Sequence, residues 1–168
     1  MKLININSPQ EETAPLPYVS IANGDWQDLS GTTPWLYGNS VWSYPNSVGV
    51  KTGVYIDWNI VVSSHDILSG SEDITLLGLI VEDSSELTIA DPSDALDEDN
   101  NGQGLWITHY LELDGSIDLI GESQLVQKRY TATQYSESIL DQDSGGYIER
   151  DQQGTQSSFN YNYWSLNV

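Results

Sequence analysis

Residues 105–126, which read LWITHYLELDGSIDLIGESQLV, decide the fold class of this chain. Apolar and polar side chains alternate at residues 111–113 and again at residues 117–119, and this period of two is typical of strands with one buried face. Between the two runs stand Asp114 and Gly115, which favour a tight turn. The stretch therefore predicts short β-strands that are joined by sharp corners.

Short apolar runs of the same kind recur along the chain, and each is bounded by Gly, Asp, Ser or Asn. The runs cover residues 55–62, 74–81, 87–89, 105–107, 111–113, 117–120 and 125–126. A sustained helical period is absent, because even residues 131–140 hold too few apolar positions to form a buried stripe. We therefore predict an all-β protein.

The shortness of the strands favours a right-handed parallel β-helix, or solenoid, in which each coil contributes short rungs. At roughly 20–45 residues per unit, a chain of this length holds about four to eight coils. The irregular spacing leaves a β-sandwich or jelly roll as the alternative. Residues 1–17 contain three of the six prolines and are expected to form a flexible arm, followed by a single β domain over residues 18–168.

The composition excludes several classes of partner. The chain has 168 residues with 25 acidic and 5 basic side chains, which gives a net charge of −20. Such a charge repels nucleic acid and anionic lipid. No apolar run approaches the roughly 18 residues that a membrane span requires, so we expect no membrane insertion. The absence of Cys excludes disulfides and thiolate metal sites.

A dense acidic stretch raises the question of calcium. Residues 82–99 hold eight carboxylates and no Lys or Arg, and residues 97–102 match the first half of a calcium-loop pattern. The predicted ligands are Asp97, Asp99, Asn101 and the carbonyl group of Gln103. Thr108 stands where the pattern expects a Glu, so a solvated acidic loop is the alternative interpretation.

Clustered aromatic residues suggest binding of a neutral glycan, since flat rings stack on sugar faces. The candidate glycan-binding residues are Trp35, Tyr37, Trp42, Tyr44, Tyr161, Tyr163 and Trp164. The structural alternative is that these rings cap the two ends of a solenoid, which would otherwise expose unpaired strand edges. Because the charge repels polyanions, a neutral polysaccharide or a surface protein is the expected partner.

No catalytic residue is predicted. The two histidines, His65 and His109, lack a nucleophile signature around them, and two histidines without Cys are a poor zinc site. We therefore expect a non-catalytic binding module. One alternative is a carbohydrate-active enzyme that uses a pair of the 25 carboxylates. The other is a structural subunit that associates with itself end to end through solenoid edges.

Three blocks, residues 102–127, 147–155 and 161–165, resemble a segment of the very large surface proteins that gliding and related Bacteroidetes export by type IX secretion. A weaker likeness links residues 24–26, Trp35 and residues 49–55 to glycine-rich β modules of the G8 type. The resemblance implies an extracellular or cell-surface, β-helical, adhesin-like module. Residues 1–20 have no apolar signal-peptide core, so we expect the chain to be a segment of a longer surface protein.

Overall fold

The structure is a computed structural model that describes residues 16–26, 34–37, 40–41, 59–90, 102–128 and 137–150. Within these ranges the chain is all-β and contains no helix, as its sequence predicts. The strands are β1 (Tyr18–Ser20), β2 (Gly24–Asp25), β3 (Trp35–Tyr37), β4 (Ser40–Val41), β5 (Ile60–Ser63), β6 (Ile67–Leu68), β7 (Ile74–Val81), β8 (Glu86–Ile89), β9 (Gly104–Leu113), β10 (Ser116–Leu119), β11 (Gln124–Gln127), β12 (Ile139–Leu140) and β13 (Tyr147–Arg150).

The strands form two sheets. The first has the order β11-β9-β7-β5-β1-β3-β4, and β12 also pairs with β9. It is mixed, because β3 runs antiparallel to β1 and β4 runs antiparallel to β3, while the other pairs are parallel. The second sheet, β13-β10-β8-β6-β2, is parallel throughout.

The chain passes from the first sheet to the second between successive strands. This happens from β1 to β2, β5 to β6, β7 to β8, β9 to β10 and β12 to β13. At these five passages, strands that follow one another along the chain lie in different sheets, as with β9, which pairs with β7, β11 and β12 but not with β10. The Asp114-Gly115 pair accordingly forms a corner between sheets and not a hairpin turn.

In the described part of the chain, one hydrophobic core lies between the two sheets. Leu79 and Leu111 of the first sheet belong to the same buried cluster as Leu87 and Ile117 of the second. These residues come from the alternating positions that the sequence pattern assigns to the inside. Burial of each such side chain contributes about 1.5–3 kcal/mol, so the aligned apolar side chains hold the sheets together.

Strand β9 contains a β-bulge. Its partner residues on β7 shift from Leu76–Ile107 to Gly78–Tyr110, so that Thr108 and His109 both stand where β7 has one residue. The Thr108 side chain is buried, and its hydroxyl donates to the carbonyl of Leu76 at 3.1 Å. The two predicted runs at residues 105–107 and 111–113 are therefore parts of one strand that continues through the bulge.

Several boundaries differ from the sequence predictions. The run at residues 74–81 coincides with β7, whereas Ile120 follows the end of β10 instead of lying within it. Strands β6, β12 and β13 were not predicted, because two to four residues carry too little periodicity.

Residues 1–15 of the predicted arm lie outside the described residues. In the part of the chain that the structure describes, no helix is long and apolar enough to cross a membrane.

Candidate functional site

An open groove of about 510 Å³ runs along the corner where the chain turns from the first sheet into the second. We call it the corner groove. Its lining residues are contributed by four separate stretches of the chain. They are Asp66, Asp83, Ser84, Ser85, Glu86, Asp114, Gly115, Ser116, Gly145, Gly146 and Tyr147.

Backbone hydrogen bonds between successive corners build the groove. Ser116 N–H donates to the carbonyl of Ser85 at 3.0 Å, and Tyr147 N–H donates to the carbonyl of Gly115 at 3.1 Å. The turn before β8 is tight, with Ser84 at a positive φ of 63°. Each corner therefore rests on the preceding one, and side chains from distant stretches line one surface.

Two of the residues that line the groove, Gly115 and Gly146, must be glycine for steric reasons. A Cβ atom on Gly115 would lie 2.2 Å from the carbonyl oxygen of Ser85. A Cβ atom on Gly146 would lie 2.1 Å from the carbonyl oxygen of Gly115. Real Cβ atoms do not approach backbone this closely, so the stacked corners require glycine. At these two positions the groove is consequently lined by backbone.

The carboxylates that line the groove are oriented by hydrogen bonds. Asp66 accepts from the Asn23 side-chain amide and from the Glu86 N–H, each at 3.1 Å. Glu86 accepts from the Ser116 hydroxyl at 3.3 Å, and Asp114 accepts from the Gly145 N–H at 3.3 Å. Because an ionised carboxylate has about four lone-pair sites, these groups retain capacity to accept hydrogen bonds from a ligand.

Among the described residues that line the groove there is no Lys or Arg, and the one aromatic side chain is Tyr147. This residue begins β13 and is 58% exposed. An exposed ring beside hydrogen-bond acceptors can stack on an apolar sugar face while the acceptors bind hydroxyl groups. The groove therefore combines negative charge, acceptor oxygens and one aromatic surface.

A second polar cluster lies on β9 and next to the end of β12. The hydroxyl of Tyr110 donates toward Glu112 Oε2 at 2.7 Å and also contacts Asp141 Oδ2. Burial raises the pKa of Tyr110 far above its usual range, and its hydrogen bonds to Asp141 and Glu112 raise this pKa further. The phenol therefore keeps its proton at every physiological pH.

The two histidines bond to hydroxyl groups within the sheet framework. His65 Nδ1 lies 3.0 Å from Ser20 Oγ and 3.2 Å from Ser64 Oγ. Ser20 is buried, and its hydroxyl oxygen also accepts the Ser64 N–H at 2.8 Å. His109 Nδ1 lies 2.7 Å from Thr108 Oγ1 at the bulge of β9. These contacts tie His65 to a corner and His109 to the bulge.

Among the aromatic residues predicted to bind glycan, Trp35 lies in the core. Its ring is 0% exposed, its Nε1–H donates to the carbonyl of Trp26 at 3.0 Å, and the two indoles pack edge to face. Trp35 thus offers no surface to a sugar, and for this residue the glycan prediction is wrong. Tyr37 lies in β3. The other predicted residues, Trp42, Tyr44, Tyr161, Tyr163 and Trp164, lie outside the described residues.

Of the predicted calcium ligands, Asp97, Asp99 and Asn101 lie outside the described residues. The Gln103 carbonyl accepts from the Gln124 N–H at 2.9 Å, which fastens the start of β9 to β11. Gly102 has a φ of +57°, and a Cβ there would lie 2.2 Å from the carbonyl carbon of Glu122. Within the ranges that the structure describes, no group of three or more acidic or His side chains could hold a metal ion.

Sequence reasoning missed the corner groove, although a signal for it exists. Glu86, Ser116 and Tyr147 are directly paired across three neighbouring strands, yet they are about thirty residues apart in the chain. The visible signal is a glycine before Ser116 and another before Tyr147. Recognising it requires the strand register, which the sequence alone does not contain.

No protein-family model matches this chain, and no curated protein or solved structure matches it either.

Proposed function

We propose that this chain is a right-handed parallel β-helix that serves as a non-catalytic binding module of a bacterial surface protein and binds a neutral glycan in the corner groove. The repeated passage between two sheets supports the solenoid part of the proposal. The aligned residues Ile67, Leu87, Ile117 and Ile148 are separated by 20, 30 and 31 positions, within the range of solenoid coils. Parallel crossovers are right-handed in nearly all proteins.

The observation that carries the binding proposal is the chemistry of the groove lining. Asp66, Asp83, Glu86 and Asp114 supply acceptor oxygens and Tyr147 supplies an exposed ring, and the lining residues that the structure describes include no basic side chain. Sugar hydroxyls donate hydrogen bonds to such acceptors, whereas a polyanionic chain would be repelled. The lining therefore favours a ligand that is rich in hydroxyl groups and carries no negative charge.

The cell-surface part of the proposal is supported by the resemblance of residues 102–127 to segments of type IX-secreted surface proteins. Stabilisation by calcium would be consistent with a location outside the cell, because extracellular modules use weak calcium sites with dissociation constants of about 10⁻⁴–10⁻³ M. A module of this kind would bind polymer outside the cell while calcium ordered its acidic stretch.

Binding is tested by titrating the full chain with a panel of neutral polysaccharides, with and without calcium. We expect at least one neutral glycan to bind and Tyr147→Ala to weaken it about tenfold or more, since stacking is lost. Ile148→Ala is the matched control, because this neighbour points to the opposite face of β13. Absence of binding to every neutral glycan, or equal losses in both variants, would contradict the proposed site.

The second candidate is a carbohydrate-active enzyme. It is favoured by one observation, namely that several carboxylates line a single open groove. Glycoside hydrolysis needs two carboxyl groups on either side of the scissile bond. Incubation of the bound polysaccharide with the protein, followed by an assay of new reducing ends, separates the two candidates. Turnover that Asp114→Asn abolishes would establish the enzyme.

A further inference from the structure

We infer that residues 159–164, which read FNYNYW, cover the C-terminal end of the hydrophobic core, where the inward side chains of Leu140 and Ile148 are exposed. We call the surface formed by these two side chains the open end. The inference concerns contacts of the chain with itself and is independent of the proposed glycan ligand.

The open end is the place where two columns of core residues reach the surface. In the second sheet, Leu87, Ile117 and Ile148 are paired in register, and their exposed fractions are 0%, 0% and 47%. In the first sheet, Leu111 is 1% exposed, whereas Leu140, its partner on β12, is 51% exposed. Within the described ranges, β12 and β13 each pair with one strand. Apolar side chains at inward positions are therefore exposed here, and covering them would stabilise the fold.

The opposite end of the core shows how this chain closes such a surface. Trp26 directly follows β2, the edge strand of the second sheet, and Trp35 lies in β3 of the first sheet. Both indoles are at most 1% exposed, and their ring centres are 5.0 Å apart. Two aromatic side chains thus close the core there, whereas Leu140 and Ile148 are aliphatic and exposed. A comparable closure of the open end requires further large apolar side chains.

The spacing of successive coils brings residues 159–164 to the open end. Paired inward positions of the first sheet are 20 positions apart from Leu105 to Leu125 and 29 positions apart from Leu111 to Leu140. Residues 159–164 follow Leu140 by 19–24 positions, which agrees with the shorter of these intervals. The segment therefore lies about one coil beyond β12 along the chain.

The segment also has the reach and the chemistry that the open end requires. Nine residue steps lead from Arg150, the last residue of β13, to Phe159, and they span up to roughly 30 Å, against roughly 10 Å between packed sheets. Phe159, Tyr161 and Tyr163 alternate with asparagines, so an extended segment would present them on one face. Residues 152–168 contain no charged side chain, whereas a second copy of the chain would bring a net charge of −20 to the same surface.

Thiol labelling of the full chain tests the inference, because the chain has no Cys of its own. The single variants Ile148→Cys and Tyr147→Cys place one thiol on the inward face and one on the outward face of β13. Each alkylation rate is divided by the rate of the same variant unfolded in urea, which removes differences in intrinsic reactivity. We expect the thiol at position 148 to react about tenfold or more slowly than the thiol at position 147, since it is reached only when the cover opens.

Substitutions in the aromatic segment identify the cover. Phe159→Ser combined with Tyr161→Ser and Tyr163→Ser should abolish the protection at position 148, because the rings no longer cover it. Asn160→Ser combined with Asn162→Ser is the matched control within the same segment and should preserve the protection. If circular dichroism shows that the triple variant does not fold, Tyr161→Ser alone provides the test, and it should speed the reaction at position 148 about threefold or more.

Four results would overturn the inference. Equal normalised rates at positions 147 and 148 would mean that the open end is not covered. Protection that persists in the folded aromatic variants would assign the cover to another segment, such as residues 129–136. Protection that weakens on dilution would assign it to a second copy of the chain. An equal loss in the asparagine variant would mean that the aromatic rings are not the groups in contact.

Discussion

The neighbouring glycines at positions 145 and 146 differ in whether the structure leaves space for a side chain. A Cβ on Gly146 would collide with the backbone of Gly115 and Leu113, whereas a Cβ on Gly145 would meet nothing within 4 Å. We expect Gly146→Ala to lower the free energy of unfolding by about 1–3 kcal/mol, the usual cost of forcing atoms into a packed site. Urea denaturation followed by tryptophan fluorescence measures this loss.

Gly145→Ala is the matched control for that measurement. It adds the same methyl group one residue earlier in open space, and it reduces the entropy of the unfolded chain, so its expected effect is a gain of at most about 1 kcal/mol. If the two variants were equally stable, the corner at residues 141–146 would not rest on the Gly115 backbone as described.

Because of Tyr110, the free energy of unfolding should depend on pH in the alkaline range. Burial and hydrogen bonds to Asp141 and Glu112 raise the pKa of Tyr110 in the folded protein. Its contribution is fully present below the pKa of an unfolded tyrosine, about 10, and is lost as the pH rises above that value, because only the unfolded chain releases this proton. Stability measured between pH 9 and 11.5 should therefore fall less steeply for Tyr110→Phe than for the wild type. Parallel slopes would exclude a raised pKa for this phenol.

Strand β8 illustrates how a short element is held by its position in the sheet. Leu87 is 0% exposed and is paired with Ile67 on one side and Ile117 on the other. Leu87→Ala should cost about 2–5 kcal/mol, since it removes core contacts and leaves a cavity between rigid neighbours. The next residue, Thr88, points to the opposite face and is half-buried, so Thr88→Ala should cost less than about 1 kcal/mol. Thermal and urea unfolding of the two variants provide the comparison.

The predictability of the strands depended on their length and regularity. The eight residues of β7 carry enough apolar side chains for their run to be recognised without knowledge of any partner. Strand β9 was divided in two, because the bulge at Thr108 and His109 interrupts the period of two. Strand β6, with only Ile67 and Leu68, is defined by pairing with β2 and β8, and pairing cannot be read from two residues.

The candidate site was less predictable than the fold for a related reason. Asp66, Glu86 and Asp114 are separated by 20 and 28 positions in the sequence, so only the register of the strands brings them together. The role of Trp35 could not be predicted from its sequence neighbours, because an aromatic residue between turn residues can equally stack on a sugar or fill a core. Its burial shows that composition alone did not distinguish these two uses.

The positions of charged residues affect whether two copies of the chain can associate end to end through the second sheet. The aligned column Leu68, Thr88, Asp118 and Glu149 ends at the outer strand β13, and Asp25 of β2 begins the same column at the opposite edge. A second copy stacked in register would therefore place its Asp25 beside Glu149. Like charges in adjacent strands are destabilising, and the net charge of −20 adds to the repulsion. The column thus disfavours in-register end-to-end association of this sheet.

The same excess of negative charge underlies the calcium prediction. Eight carboxylates lie within residues 82–99, and because like charges this close along the chain repel one another, a divalent cation would relieve their repulsion. With a dissociation constant of about 0.5 mM, addition of about 5 mM calcium would stabilise the fold by about 1.4 kcal/mol. We expect this to raise the melting temperature by about 3–6 °C, measured by scanning calorimetry at constant ionic strength.

Two double variants decide whether the rise comes from a specific site. Asp97→Ala with Asp99→Ala removes two ligands of the partial loop pattern and should abolish most of the rise. Glu72→Ala with Glu122→Ala removes the same charge from exposed positions elsewhere and should preserve it. Because general charge screening depends on the number of charges and a coordinated ion depends on their placement, equal losses in both variants would indicate screening. No rise in the wild type would refute calcium binding under these conditions.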